Sequence, residues 1–147
     1  MTFTEEQLVA WGERLGATAV TPLFVALRGD LGAGKSVLAR AIARGAGVEA
    51  SMPSPTFNLV FRYPGSAGRE VVHMDLYRID KPADVWALGW GELGAENEMA
   101  LVEWPERAGP LLPPDRWDIT LDTVSSELRH VSAQPVGTAP DLPALSA

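Results

Sequence analysis

The octapeptide Gly29-Asp30-Leu31-Gly32-Ala33-Gly34-Lys35-Ser36 decides the fold of this 147-residue chain. It fits the pattern G-x-x-x-x-G-K-[ST], in which glycines bring backbone N–H groups against phosphates and the following helix directs the positive end of its dipole at them. The apolar run 23–27 before it predicts a buried strand, and residues 35–44 after it predict a helix. A strand, a phosphate loop and a helix in this order predict a parallel α/β unit that binds a nucleoside triphosphate.

The residues of this loop are expected to bind ATP or ADP together with Mg²⁺. Lys35 would reach the β- and γ-phosphates, and the Ser36 hydroxyl would be one ligand of a Mg²⁺ ion that bridges them. Ten of the twelve basic residues are Arg, yet Lys occupies this position, where a point charge suits the contact better than a planar guanidinium. The residues expected to contact the nucleotide here are Gly29, Asp30, Leu31, Gly32, Ala33, Gly34, Lys35, Ser36 and Val37.

A second, acidic anchor for Mg²⁺ is expected at the carboxyl end of a buried strand beside the loop. The apolar residues 99–102 lead into Glu103, which has this position in the sequence. Glu103 would bind Mg²⁺ directly or through water, or orient the attacking water. A solvated carboxylate at a strand exit is the alternative interpretation. Trp104, directly after it, could form a wall of the site or belong to the core.

Polar residues alternate in the hexapeptide His73-Met74-Asp75-Leu76-Tyr77-Arg78. At strand spacing, His73, Asp75 and Tyr77 would share one face, and a polar face is costly to bury without partners. A hydrogen-bonded structural His and an Asp–Arg ion pair explain the same pattern. The hexapeptide alone therefore leaves a structural and a functional interpretation open.

The rest of the chain predicts an α/β fold with a P-loop NTPase-like core: a mostly parallel central sheet, a β-hairpin and antiparallel late strands, flanked by helices. A capping box that begins at Thr4 predicts a first helix over 4–16, and Pro82 starts a later helix. Segments 57–63 and 70–74 predict the hairpin. Further strands are predicted over 99–103, 117–122 and 128–133.

Length and composition predict one soluble, cytoplasmic domain. We expect a single P-loop ATPase domain over 1–133 and a flexible tail over 134–147, which has three Pro, one Gly and no periodic apolar pattern. The sequence contains no run of about 18 apolar residues, so no contact with a membrane is predicted. The net charge of −7 argues against a broad nucleic-acid footprint, so any RNA is expected to be reached through a partner.

Four motifs, in this order and spacing, resemble the TsaE (YjeE) family. They are the loop 29–36, Ser54-Pro55-Thr56-Phe57, the hexapeptide 73–78 and Leu101-Val102-Glu103-Trp104-Pro105, and the likeness covers about 4–122. This is a family of small bacterial ATPases of tRNA threonylcarbamoyladenosine synthesis. The resemblance implies an ATPase that is weak alone and is stimulated in a complex with transferase subunits of the TsaD and TsaB type, through which it reaches tRNA.

The resemblance also implies individual roles. Ser36 and Glu103 would hold Mg²⁺, Asp75 would be required for hydrolysis, Thr56 would lie on a switch-like loop near the γ-phosphate, and Trp104 would lie close to the nucleotide. The residues expected to carry catalysis are thus Lys35, Thr56, Asp75 and Glu103.

Some positions depart from the family pattern or match it ambiguously. Ser36 stands where many relatives have Thr, which keeps the hydroxyl ligand. Leu8 stands where relatives often have a Thr near the nucleotide, so that adenine-side contact is in question. Arg129 matches a basic residue that relatives direct toward the nucleotide, although His130 fits the same position.

The phosphate loop taken alone also leaves other functions open. A small-molecule or nucleotide kinase usually needs a mobile, Arg-rich lid, but the candidate lid 105–116 contains only Arg107 and Arg116. A GTPase would need an Asn-Lys-x-Asp stretch, and the only Asn residues are Asn58 and Asn97. In a regulatory module, ATP occupancy would set a conformation that docks onto partners, and hydrolysis would only reset it. This function differs from that of the ATPase mainly in the time at which hydrolysis occurs.

Overall fold

The computed structural model describes residues 1–49, 52 and 59–146, and in these residues seven strands form one sheet. The strands are β1 (Thr2–Thr4), β2 (Leu23–Arg28), β3 (Val60–Pro64), β4 (Glu70–Asp75), β5 (Glu98–Glu103), β6 (Arg116–Thr123) and β7 (Leu128–Val136). The α-helices of the described residues are α1 (Glu5–Thr18) and α2 (Lys35–Gly45). The strand order is β1-β7-β6-β2-β5-β4-β3.

The centre of the sheet is parallel. β2 pairs with β5 on one side and with β6 on the other, and β4 continues the parallel set beyond β5. The apolar runs that predicted β2 and β5 are buried, as expected of strands that are covered on both faces. The predicted α/β fold with a P-loop NTPase-like core is therefore confirmed, and the carboxyl ends of β4, β5, β2 and β6 meet at one edge of the sheet.

Antiparallel strands flank this centre. β3 pairs with β4 as the predicted hairpin, and β6 pairs with β7 as the predicted late strands. Residues 57 and 58, which were included in the first hairpin strand, lie outside the described residues. β1 was not predicted: it is three residues long, only Phe3 is buried, and so short a segment has no periodicity to read.

Both predicted helices are present, and the one at Pro82 is a short 3₁₀ helix. The amide of Gln7 donates to the Thr4 hydroxyl at 3.2 Å, and the Thr4 amide donates to the Gln7 side chain at 2.9 Å, which completes the capping box. The helix that was predicted to start at Pro82 is the 3₁₀ helix Pro82–Leu88. Val85 alone is buried in it, and Gly89 ends it with a φ of 83°.

α1 and α2 pack side by side on one face of the sheet. Their backbones touch, because a Cβ at Gly16 would collide with the Ile42 carbonyl and a Cβ at Gly45 with the Glu13 carbonyl. Large core side chains of this face are Leu8, Trp11, Leu15, Leu38 and Ile42. The opposite face has a separate core under the 3₁₀ turns, which includes Phe24, Met74, Leu76, Val85, Trp90 and Val102.

Arg69, just before β4, joins the hairpin to the carboxyl ends of both helices. Its guanidinium donates to the carbonyl of Gly16 at 2.9 Å and to that of Ala46 at 3.3 Å. The Ser66 hydroxyl also donates to Ala46, at 3.0 Å. Carbonyls that the helices leave without a partner at their ends are thereby satisfied, at the end of the sheet opposite the phosphate loop.

The C-terminal residues lie against the domain. β7 continues to Val136, and after it the indole N–H of Trp117 donates to the Pro140 carbonyl at 2.6 Å. The indole N–H of Trp11 donates to the Pro143 carbonyl at 3.3 Å. The predicted division at residue 133 and the flexibility of the tail stay predictions. Within the described ranges, no helix combines the length and the apolar character that crossing a membrane requires.

Candidate functional site

The phosphate loop, residues 29–34, connects the end of β2 to the start of α2. Gly29 has a φ of 145° and Gly34 a φ of 105°, left-handed values that residues with a Cβ rarely adopt. A Cβ at Gly29 would also collide with the Leu121 carbonyl of β6. Since Gly34 is the N-cap of α2 and has no side chain to cap the helix, the first-turn amides are suited to binding an anion.

Lys35 begins α2, and its side chain is only 4% exposed. Its Nζ donates to the carbonyl of Gly29 at 2.6 Å and to that of Asp30 at 2.8 Å, and it lies 4.3 Å from the centroid of the Trp104 ring. Burial lowers the pKa of Lys35, and the nearby Glu103 carboxylate opposes that shift. The ammonium is thus held inside the loop by neutral carbonyl oxygens. Charged phosphate oxygens would be stronger hydrogen-bond partners for it.

Glu103, the last residue of β5, is 3% exposed and therefore is not a solvated carboxylate at a strand exit. The Ser36 hydroxyl lies 2.8 Å from its Oε1 and 3.0 Å from its Oε2. The Nε2 of His73 lies 2.6 Å from the same Oε2. The structure brings together the two residues that the sequence proposed as metal ligands, and it adds a histidine whose partner could not be read from the hexapeptide.

Asp75 ends β4 and pairs with Glu103 in the parallel register. Its Oδ1 accepts a hydrogen bond from the Tyr77 amide at 3.0 Å. Burial raises the pKa of Asp75; the Tyr77 amide opposes this shift and the charge of Glu103 adds to it. Of the predicted polar face, His73 and Asp75 lie on β4, whereas Tyr77 lies beyond the strand with its ring centroid 5.0 Å from that of Trp104.

These side chains line a cavity of about 410 Å³, a size typical of small-molecule sites. The predicted residues in its lining are Leu31, Gly32, Gly34, Lys35, Ser36, Val37, Asp75, Glu103 and Trp104. Leu59, Tyr77 and Arg78 line it as well and were not predicted as site residues. The sequence did contain a signal for Tyr77 and Arg78, because both belong to the polar hexapeptide 73–78 and follow directly after β4.

A second cavity, of about 500 Å³, lies on the other side of the loop and is lined by Leu8 and Arg129 among others. The guanidinium of Arg129 donates to the Ala33 carbonyl at 3.1 Å and to the Ser125 carbonyl at 2.8 Å. It therefore contacts the loop backbone, and its contact with a nucleotide stays a prediction. Thr56 lies outside the described residues, so its place near the γ-phosphate also stays a prediction.

The oxygen donors of the site fit Mg²⁺. This ion usually takes one or two carboxylates and draws its other ligands from phosphates and water. Ser36 and Glu103 supply a hydroxyl and a carboxylate within 3.0 Å of each other. In the part of the chain that the structure describes, no group of three His, Cys, Asp or Glu residues could hold a metal. The donors therefore suit an ion that arrives with a nucleotide better than a protein-only metal cage.

A phosphate loop at the carboxyl ends of parallel strands, with a Ser in contact with a buried Glu beside its lysine, defines the P-loop class of α/β proteins. The family model described as "Threonylcarbamoyl adenosine biosynthesis protein TsaE" matches residues 2–131. The chain belongs to the TsaE family.

Several relatives bear the name tRNA threonylcarbamoyladenosine biosynthesis protein TsaE. The one from Rickettsia bellii is 33% identical over 127 residues, which cover 86% of this chain and 87% of that protein. The one from Streptomyces coelicolor is 31% identical, with 86% and 88% covered. The one from Haemophilus influenzae is 37% identical over 91 residues, but this match spans 62% of the present chain and only 57% of the relative's length.

The crystal structure of Bacillus subtilis YdiB is similar to this fold. It superposes with a TM-score of 0.70 over 93% of this chain and 86% of that one, at 24% sequence identity. The similarity supports the fold assignment.

Proposed function

We propose that this chain is a Mg²⁺-dependent subunit that binds and hydrolyses ATP in support of tRNA threonylcarbamoyladenosine synthesis, the modification of the adenosine beside the anticodon. Family membership supports the role in this biosynthesis. The observation that carries the ATPase part is the contact of Ser36 with Glu103 at 2.8 Å, next to a lysine buried in the phosphate loop.

In this proposal, the first turn of α2 and Lys35 bind the phosphates. The amides at the helix start supply a partial positive charge, and Lys35 would exchange the carbonyls of Gly29 and Asp30 for phosphate oxygens. Trp104 and Arg129 contact the loop region from different sides, where they would bind the rest of ATP or ADP.

Ser36 and Glu103 would hold the Mg²⁺ ion, which when bound neutralises charge on the β- and γ-phosphates. Asp75 lies across from Glu103 at the same strand ends, and burial raises the pKa of its carboxyl. A carboxylate of higher pKa is a better proton acceptor, so Asp75 is suited to orient and deprotonate the attacking water. Thr56 is proposed to approach the γ-phosphate from its own segment.

The proposed partners are transferase subunits of the TsaD and TsaB type, in the cytoplasm. Phosphoryl transfer asks a protein mainly for positioning and charge stabilisation, so a partner surface could complete this site and raise a weak basal activity. The net charge of −7 suits docking onto a basic surface and disfavours direct binding of tRNA. Contact with tRNA would therefore run through the complex.

The test is phosphate release from ATP and Mg²⁺ by the purified chain, first alone and then with the two transferase subunits and tRNA. We expect slow release alone and faster release in the complete mixture. Equal rates in both would contradict the assembly-dependent ATPase. Label from the γ-phosphate that appears on a small-molecule acceptor would indicate a P-loop kinase instead.

A further inference from the structure

We infer that His73 is a positioning residue, which fixes the Glu103 carboxylate in the orientation that lets it serve as a Mg²⁺ ligand. The inference rests on the proposed function. The two side chains are 2% and 3% exposed, and His73 Nε2 lies 2.6 Å from Glu103 Oε2. A polar pair buried this deeply is held in one arrangement by its own hydrogen bond.

The register of the sheet creates the contact. His73 pairs with Leu101, so Glu103 lies two residues farther along β5 on the same face. The neighbours of His73 along β4, Val72 and Met74, are fully buried on the opposite face. The imidazole is thus buried within the sheet, two residues before the end of β4 at the edge where the phosphate loop lies.

The two carboxylate oxygens of Glu103 have different nearest partners. The Nε2 of His73 lies 2.6 Å from Oε2, and a carboxylate oxygen can accept a hydrogen bond from the protonated nitrogen of an imidazole. The Ser36 hydroxyl is nearer to Oε1, at 2.8 Å. Ser36 is itself a proposed metal ligand and would turn toward the ion, whereas His73 would keep its bond to Oε2. Oε1 would then remain directed at the loop.

A purely structural histidine would make a different prediction. Its loss would lower stability and weaken nucleotide binding equally with and without metal. Hydrogen-bond partners of metal ligands typically change metal affinity by roughly 10- to 100-fold when they are removed. A positioning role therefore predicts a loss confined to the Mg²⁺-dependent part of nucleotide binding.

The experiment measures binding of a non-hydrolysable ATP analogue by calorimetry, in Mg²⁺ and in EDTA. For His73→Leu we expect the gain in affinity from Mg²⁺ to fall about 10-fold, with affinity in EDTA unchanged. His73→Gln, whose side-chain amide can reach the Nε2 position, should restore most of the gain. The matched control is His130→Leu, which changes the only other histidine. Arg129 contacts the loop, so its neighbour His130, exposed on β7, faces the other way and should behave as the wild type when replaced.

The outcomes separate this inference from the proposed function. If the wild type gains no affinity from Mg²⁺, the proposed metal site itself fails. If the wild type gains affinity and His73→Leu keeps the full gain, or loses equally in Mg²⁺ and in EDTA, the positioning role is overturned. In a Glu103→Gln background, His73→Leu should cause no further loss of the gain.

Should His73→Leu not fold, His73→Asn replaces it, because its shorter amide fills part of the space but does not reach Oε2. Asn with a reduced gain and Gln with a retained gain would support the inference. Equal behaviour of Asn and Gln would overturn it.

Discussion

Lys35 is a buried cation that the loop satisfies with its own backbone. Two carbonyl contacts and an aromatic face hold the ammonium in the position where a triphosphate would need it. Because the side chain is already ordered, little rotamer freedom remains to be lost on binding. The cost of binding is instead the exchange of these carbonyl contacts for phosphate oxygens.

Replacing Lys35 by Ala should therefore weaken nucleotide binding and not merely slow turnover. A hydrogen bond to a charged group contributes about 1.5 to 3 kcal/mol, so we expect the affinity for ATP to fall roughly 10- to 100-fold or more. Calorimetry with ATP and Mg²⁺ measures this. The control is Lys81→Ala, which changes the only other lysine, at an exposed position. Unchanged affinity in Lys35→Ala would refute the site.

The buried carboxyl of Asp75 links the stability of the fold to pH. Burial raises the pKa of its carboxyl in the folded protein, so the folded state binds this proton more tightly than the unfolded chain does. The resulting stability is present below the unfolded pKa and is lost as the pH rises through the folded pKa. Keeping an ionised carboxylate at the site near neutral pH thus reduces the stability of the fold.

Asp75→Asn should accordingly lose less stability than the wild type between acid and neutral pH, while turnover falls roughly 100-fold or more. Urea unfolding across this pH range and phosphate release measure the two effects. Asp122→Asn, at an exposed position of β6, should follow the wild type in both. Parallel stability curves for Asp75→Asn and the wild type would contradict the raised pKa.

At this scale, the sequence predicted the site residues whose positions follow from a local pattern. Ser36 is fixed by the loop motif, and Glu103 is fixed by the end of an apolar strand. The partner of His73 could not be predicted, because it depends on the register between β4 and β5, which local sequence does not encode. The contact of Arg129 with the Ala33 carbonyl likewise depends on distant parts of the chain, and its contact with a nucleotide stays a prediction.

At the scale of elements, the contact of α1 with α2 depends on glycines that have no room for a side chain. A Cβ at Gly16 would meet the carbonyl of Ile42, which is backbone and cannot turn away. α2 starts at the phosphate loop, so this contact also fixes the position of the helix whose first turn lines the candidate site.

Gly16→Ala should destabilise the protein by about 1 to 3 kcal/mol, as overpacked cores do. The direction of the change in stability distinguishes this close contact from helix propensity. By propensity alone, Ala in place of Gly inside a helix would stabilise the protein by up to about 1 kcal/mol. Chemical denaturation measures the change. A stabilised variant would show that the helices are farther apart than the structure places them.

Predicted elements succeeded where a long periodic or apolar run carried them, as in α1, β2 and β5. Where the chain offered only a start signal, the start of the helix was predicted but its type was not. Pro82 correctly marks the first turn of a helix, but Val85 is the only buried residue in that segment and Gly89 ends it early, so a 3₁₀ helix forms instead of an α-helix. β1 is held by its pairing with β7 and not by its own pattern.

At the scale of the whole molecule, the C-terminal residues are tied to the domain at distant points. Besides the indole contacts of Trp11 and Trp117, Arg14 donates to the Ser146 carbonyl at 2.9 Å. Leu142 and Leu145 pack against the core on the side of α1 and α2. The composition of this segment predicts flexibility, but composition says nothing of contacts with distant residues, and the flexibility of the tail stays a prediction.

Deletion of residues 137–147 should therefore lower the stability of the domain by about 2 to 4 kcal/mol, from lost hydrogen bonds and apolar contacts. ATP affinity should be unchanged, because the tail contacts do not involve residues that line the site cavity. Thermal unfolding and calorimetry measure both. Leu142→Ser with Leu145→Ser tests the same idea without shortening the chain; no change in either variant would support a flexible tail.

The guanidinium of Arg69, which ties the hairpin turn to the ends of both helices, lies at the end of the sheet opposite the phosphate loop. A substitution there would leave the chemistry of each folded molecule intact and reduce how many molecules are folded. In a cell, such an allele would act through protein abundance, and higher expression would compensate for it. An allele at Lys35 would not be compensated in this way, so gene dosage can separate mutations of the framework from mutations of the site.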